Sequence, residues 1–192
     1  MTFHELEKRY RSLLSRIDQR KEGVERLVDF LESETNWLEA PASTRFHMSE
    51  KHGPLYHSIG VAETLIRLAG HLDPVYTDET LIILGLFHDV GKVGYGDNPY
   101  YLENPSTGNR HLTGTRSFYK PYIVNNDIVS MSHAVRSLYH VQRFIELSPE
   151  EAQAITYHDG PYTDAYKEIA MKEEPLTLLL HFADLWHATQ LE

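Results

Sequence analysis

The chain has 192 residues, 41% hydrophobic and 24% charged, the proportions of a soluble globular protein with room for one real core. Its 28 acidic against 18 basic residues give a net charge of −10, the wrong sign for gripping a nucleic-acid duplex. With no cysteine there is neither a disulfide nor a thiolate site, so any metal must be held by imidazole and carboxylate, which suits manganese, iron, cobalt, nickel or zinc.

Leu6, Tyr10, Leu13 and Ile17 recur at spacings of four, three and four, one face of an amphipathic helix. Val24, Leu27, Val28 and Leu31 make a second such face, so residues 1–36 are read as two N-terminal helices. Segment 37–55, with Pro41, Gly53 and Pro54, is expected to be irregular. A third helix is predicted from about Tyr56 to His71, its inner face carrying His57, Val61, Leu65 and Leu68. Asp78 is the expected cap of a fourth helix through Leu81, Leu84 and His88, which Gly91 terminates. From about 95 to 130 the periodicity fails among glycines, asparagines, prolines and tyrosines, with a short strand expected near Tyr119 to Val124; so long an irregular insertion points to a lid or binding loop. Helix resumes from Ser132 to Leu147. Ser148-Pro149-Glu150-Glu151 is a capping box with proline at the first helical position, opening a helix towards His158. Glu173 to Leu191 is the last. No apolar run approaches the 18 or so residues of a membrane span, and MTFHELEKRY lacks a signal-peptide core, so one all-α domain over 1–192, cytoplasmic and without a membrane partner, is expected.

Metal-ligand types fall on the inner faces of five of these helices. His57 shares a face with Val61 and Leu65; His88, with Asp89 beside it, lies seven residues beyond Leu81. His133 opens its helix, His158 follows Ile155 by three, and Asp184 lies four residues after Leu180. A lone inward histidine is more often a hydrogen-bonded core residue than a ligand, and a lone His-Asp pair is weak. Several such groups converging, with carboxylates that need a partner when buried, suit a divalent cation better. His140 falls seven residues after His133 on nearly the same face, so it competes with His133 as a ligand or supports it from behind. His4, His47, His52, His71, His111, His181 and His187 are left as surface, supporting or packing residues.

The order His57, His88-Asp89 with Gly91-Lys92, His133, His158, Asp184 resembles the HD-domain superfamily of metal-dependent phosphohydrolases. "HSIGVAETLIRLA" is similar to its first metal-binding helix, "LGLFHDVGKVG" to its central signature and "LLLHFADLWHA" to its last helix, over about residues 55–190. The insertion, with "PYY" near its start and "RSLY" and "HDG" beyond, is similar to that of uncharacterised phage and bacterial members. The resemblance implies a helical-bundle core and one or two divalent ions held by His57, His88, Asp89, His133, His158 and Asp184. In a two-ion arrangement Asp89 would bridge, and a water between the ions would attack phosphorus. Lys92 is then expected to neutralise phosphate charge, with Lys92, Arg136 and Asp159 as substrate contacts and Asp159 able to ligate or to orient the water. On residues alone Lys92 reads equally well as a solvated lysine at a helix end.

Two rival classes remain open at this stage: a mixed-valent di-iron oxygenase using the same ligands, and a non-catalytic nucleotide-binding module. The insertion mixes Tyr95, Tyr100, Tyr101, Phe118, Tyr119 and Tyr122 with Arg110, Arg116 and Lys120, which suits a base stacked over a phosphate chain, or simply packing. The expected partner is therefore a small phosphorylated molecule, a nucleoside mono- or triphosphate first and a dinucleotide second. The sequence fixes neither the ion count nor the oligomeric state.

Overall fold

The computed structural model describes residues 2–44, 50–72, 76–105 and 121–191. It is an α-helical bundle, as the periodicities predict, with a small two-stranded ribbon in the insertion. Helices α1 (Phe3–Leu14) and α2 (Lys21–Glu34) bury the expected faces; Thr2 and Glu5 close a capping box at the start of α1. The central helix α3 (Gly53–Leu72) lies along α4 (Asp78–Phe87) on one side and α7 (Pro175–Trp186) on the other. Between α5 (His133–Gln142) and α7 sits α6 (Pro149–Tyr157). From Leu81 to Phe87 every residue of α4 is buried, the signature of a helix apolar all round and enclosed by neighbours.

Four local expectations shift. Helix α3 begins at Gly53, three residues early, because Pro54 lies in the first turn, where a missing N–H removes no helical bond. Thr77, not Asp78, caps α4: its hydroxyl accepts the Thr80 N–H, and Asp78 is the first helical residue. Helix α5 ends at Gln142 rather than Leu147. The last helix starts at Pro175, with Glu174 as its cap, and ends in a single wide turn over His187–Leu191.

The insertion opens and closes as an antiparallel ribbon, β1 (Tyr101–Glu103) against β2 (Tyr122–Val124), with Tyr101 opposite Val124 and Glu103 opposite Tyr122. The strand expected from Tyr119 is thus shorter; Phe118, Tyr119, Lys120, Arg110, Arg116 and His111 fall outside the described residues, as does His47.

One hydrophobic cluster runs from Leu6 and Tyr10 through Trp37, Leu65 and Phe87 to Ile155 and Leu180. At its edge Arg20, ahead of α2, joins two distant helix starts. Its guanidinium bonds Glu79 of α4 at 2.8 Å, Thr80 at 3.0 Å and Glu151 of α6 at 2.8 Å, while the second Glu79 oxygen accepts the backbone N–H groups of Asp18 and Gln19. No helix among the described residues is long and apolar enough to cross a membrane.

Candidate metal centre

The bundle delivers its polar groups at helix ends. His88 is the C-terminal cap of α4, with helical φ/ψ of −58°/−29°. Its Nδ1 lies 3.0 Å from the Gly85 carbonyl; that bond makes Nδ1 the N–H and leaves Nε2 a lone pair. His158 caps α6 in the same conformation, −59°/−29°, with Nδ1 2.8 Å from the Ile155 carbonyl. His133 is the first residue of α5, which Ser132 caps by accepting the Val135 N–H. His57 comes from the first turns of α3 and Asp184 from the last turn of α7.

A short 3-10 turn, Val90–Lys92, follows His88-Asp89 and is pressed onto α5. The Gly91 N–H donates to Ser137 Oγ at 2.8 Å, and Ser137 Oγ donates to the His133 carbonyl at 2.9 Å. A Cβ on Gly91 would fall 2.0 Å from that carbonyl, so the approach requires glycine.

At the middle sits Asp89, 2% exposed. Its Oδ2 is 3.8 Å from both His57 Nε2 and His88 Nε2. Its Oδ1 is 3.6 Å from His133 Nε2 and 3.5 Å from His158 Nε2. An outer carboxylate closes each half: Asp184 Oδ1 lies 2.9 Å from His57 and 3.9 Å from His88, and Asp159 Oδ2 lies 3.2 Å from His133. Ligand atoms that each sit about 2.0–2.2 Å from one ion are at most about 4.4 Å apart, so all of these separations fit a shared cation. Metal-compatible groups form from His57, His88 and Asp89, and from Asp89, His133 and His158; His88 also groups with His158 and Asp184, so the halves overlap.

Electrostatics point the same way. Burial pushes His88 down to about 3, keeping its imidazole neutral. Burial also opposes charge on His158, yet the Asp89 and Asp159 carboxylates beside it raise it to about 9. Burial resists ionisation of Asp89, but Lys92 and the surrounding histidines hold it well below the usual carboxylate range; His57 does the same for Asp184. His88 Nε2 and Asp89 Oδ1 are buried and make no hydrogen bond. A neutral His88, ionised carboxylates and unmatched buried atoms aimed at one space form a donor set that fits divalent cations, which His158 joins on giving up its proton.

Lys92 is ion-paired to Asp89 Oδ2 and largely buried, not a solvated helix-end lysine. A cavity of about 660 Å³ opens beside it, lined by His158, Asp159, Asp184, Tyr162 and His181 among others. Tyr101 stands near Lys92, Asp89 and Asp159, and burial pushes its phenol up to about 12; Tyr100 packs edge-on to it at 4.8 Å. Arg136 is not brought to this cavity: its Nη2 donates to the Val93 carbonyl at 3.3 Å, and its guanidinium lies over the Tyr95 and Tyr100 rings. His140 is also absent from the cluster; it is buried and pairs with the Tyr95 hydroxyl at 2.9 Å, leaving His133 as the member of α5 that joins the group.

Two histidines form a supporting layer. His181 Nδ1 lies 2.8 Å from the His158 carbonyl, and the His187 ring stands edge-on to His57 at 5.4 Å. They lie three residues either side of Asp184, so helical spacing was the available sign.

The profile of the HD domain family matches residues 55–190. The chain belongs to that family, a superfamily of metal-dependent phosphohydrolases, and its His/Asp cluster is of the kind that binds divalent metal. Neither a curated protein nor a solved structure matches the chain.

Proposed function

We propose that the protein hydrolyses a phosphoester or phosphoanhydride of a nucleotide-type substrate at a centre of one or two divalent ions held by His57, His88, Asp89, Asp184, His133 and His158. The observation that carries this reading is Asp89, whose two oxygens face separate histidine pairs at 3.8 and at 3.5–3.6 Å. Such ions supply Lewis acidity that polarises a phosphoryl oxygen and makes water nucleophilic near neutral pH.

The chain's own groups do the rest. Asp89, kept ionised, is the shared carboxylate, and its salt bridge fixes Lys92 as a buried cation against which negative charge on phosphorus oxygens is stabilised. Asp159, ionised despite burial and open to the cavity, orients the attacking water. The aromatic edge formed by Tyr100 and Tyr101 excludes water and offers a stacking surface for a base. A cavity of about 660 Å³ is of the size that encloses a small ligand such as a nucleotide.

The test is metal analysis of the untreated protein, followed by a phosphate-release screen over nucleotides with manganese, cobalt, nickel and iron. Stoichiometric metal and metal-dependent phosphate release are expected. Tightly held iron with oxygen consumption and no phosphate release would replace this reading with the oxygenase, and protein that holds no metal would replace it with a binding module.

A further inference from the structure

We propose that a second cavity, beside the later turns of α5 and separate from the His-Asp cluster, binds the phosphate group of a small molecule. This cavity of about 620 Å³ lies between the 125–131 loop and α5 and is lined by Tyr95, Asn98, Asp127, Arg136, Tyr139 and Arg143 among others. It shares no lining residue with the cavity beside Lys92.

Arg136 is the principal observation. It is only 4% exposed, and its Nε is buried without a hydrogen-bond partner. Neither it nor Arg143 forms an ion pair among the described residues. Residues 106–120, which follow the Tyr100–Tyr101 edge, contain Arg110, Arg116 and Lys120 and no acid. A buried guanidinium with no anionic partner among the described residues is costly, and its N–H fork matches phosphate oxygens.

The surroundings supply a second cation and flat rings. Arg143 stacks on Phe30 at 4.7 Å and on Phe144 at 5.1 Å. The half-exposed Tyr139 ring stands at the rim, 5.8 Å from the Arg143 guanidinium. Asp127 is the one acidic lining residue, and it is exposed. Two guanidiniums against one solvated carboxylate run counter to the −10 charge of the chain. The site is tied to the cluster through Arg136, whose Nη2 holds the carbonyl of Val93, the neighbour of Lys92.

Calorimetric titration of the full, metal-loaded chain with inorganic phosphate tests this independently of the reaction proposed above. A phosphate site that survives in Asp89→Ala and weakens about tenfold or more in Arg143→Ala is expected, the effect of one charged hydrogen-bonding partner. Arg143→Ala should leave turnover unchanged. Absence of phosphate binding, binding indifferent to Arg143→Ala, or binding lost entirely with Asp89→Ala would overturn the proposal. A chain that binds phosphate at Arg143 but hydrolyses no nucleotide would sink the proposed function and leave this site standing.

Discussion

The ends of α4 and α6 hold their histidines in the same backbone conformation and are opposites in electrostatics. Each finishes in His-Asp followed by a 3-10 turn, Val90–Lys92 or Gly160–Tyr162, and each histidine points its Nδ1 at the carbonyl three residues back. Yet burial takes His88 down to about 3, whereas neighbouring carboxylates carry His158 up to about 9. The difference lies in what faces each ring. His88 meets His57 and His158 together with carboxylates, and desolvation dominates; His158 stands between Asp89 and Asp159. The aspartates differ as well, since Asp89 is enclosed and shared by both halves, while the Asp159 side chain is 27% exposed and serves one. The same histidine anchor therefore serves an inner corner that organises the centre and an outer corner open to substrate.

The most severe test of that inequality is a pair of substitutions. Asp89→Ala should lower turnover by on the order of 10³ or more and strip metal from both halves, with helical circular dichroism retained. Asp159→Ala should keep the metal and lose less activity; equal losses would erase the distinction between the corners. Next comes ion count: His158→Ala or His133→Ala should lower bound metal from about two to about one per chain, because His57, His88, Asp89 and Asp184 remain, whereas one ion in the unmodified, metal-replete protein would end the two-ion reading. Asp184→Ala should act on the other half, losing metal and activity together while the fold survives.

Gly160 gives a smaller, structural contrast. Its φ is +61°, and a Cβ there would fall 2.4 Å from the His181 ring, whereas its counterpart at the inner corner is the buried valine Val90. Gly160→Ala should destabilise by about 1–3 kcal/mol in thermal or denaturant melts. The smallest effect comes from His140, outside both corners, which burial and then Arg136 and Arg143 lower to about 4. The unfolded chain binds a proton there below about pH 6.5 that the folded chain refuses, so stability should fall as pH drops from about 6.5 towards 4. His140→Gln should flatten that decline; an unchanged profile would assign the acid sensitivity elsewhere.

Much of this was legible because ligands on helices inherit helical periodicity. His57 with Val61 and Leu65, and Asp184 with Leu180, could be placed on inner faces from spacing alone. The start of α3 was hidden because glycine and proline signal loops, although proline is harmless in a first turn. The β1–β2 pairing joins residues some twenty apart through an aperiodic segment, so no local pattern announced Tyr101 as a partner of Val124. Arg136 was expected at the substrate; the folded turn places its guanidinium on the Val93 carbonyl and over the tyrosine rings, contacts no local pattern announces. His181 and His187 carried a spacing signal, but spacing cannot distinguish a ring that faces an ion from one that braces a ligand.

The Arg20 bridge makes the boundary of the family match a poor guide to where the chain can be cut. Glu79 and Glu151 begin the two helices whose opposite ends carry the His-Asp corners, and the residue that ties those beginnings together lies outside residues 55–190. A fragment trimmed to the matched region would keep every candidate ligand while losing the brace behind both helices and baring the apolar face that α1, α2 and Trp37 cover. Such a fragment should be judged by the spacing of its corners rather than by its helix content: a shorter chain could look folded yet hold its histidines at the wrong separation. For anyone grafting, permuting or minimising this scaffold, Arg20 and the α1–α2 face belong with the matched region.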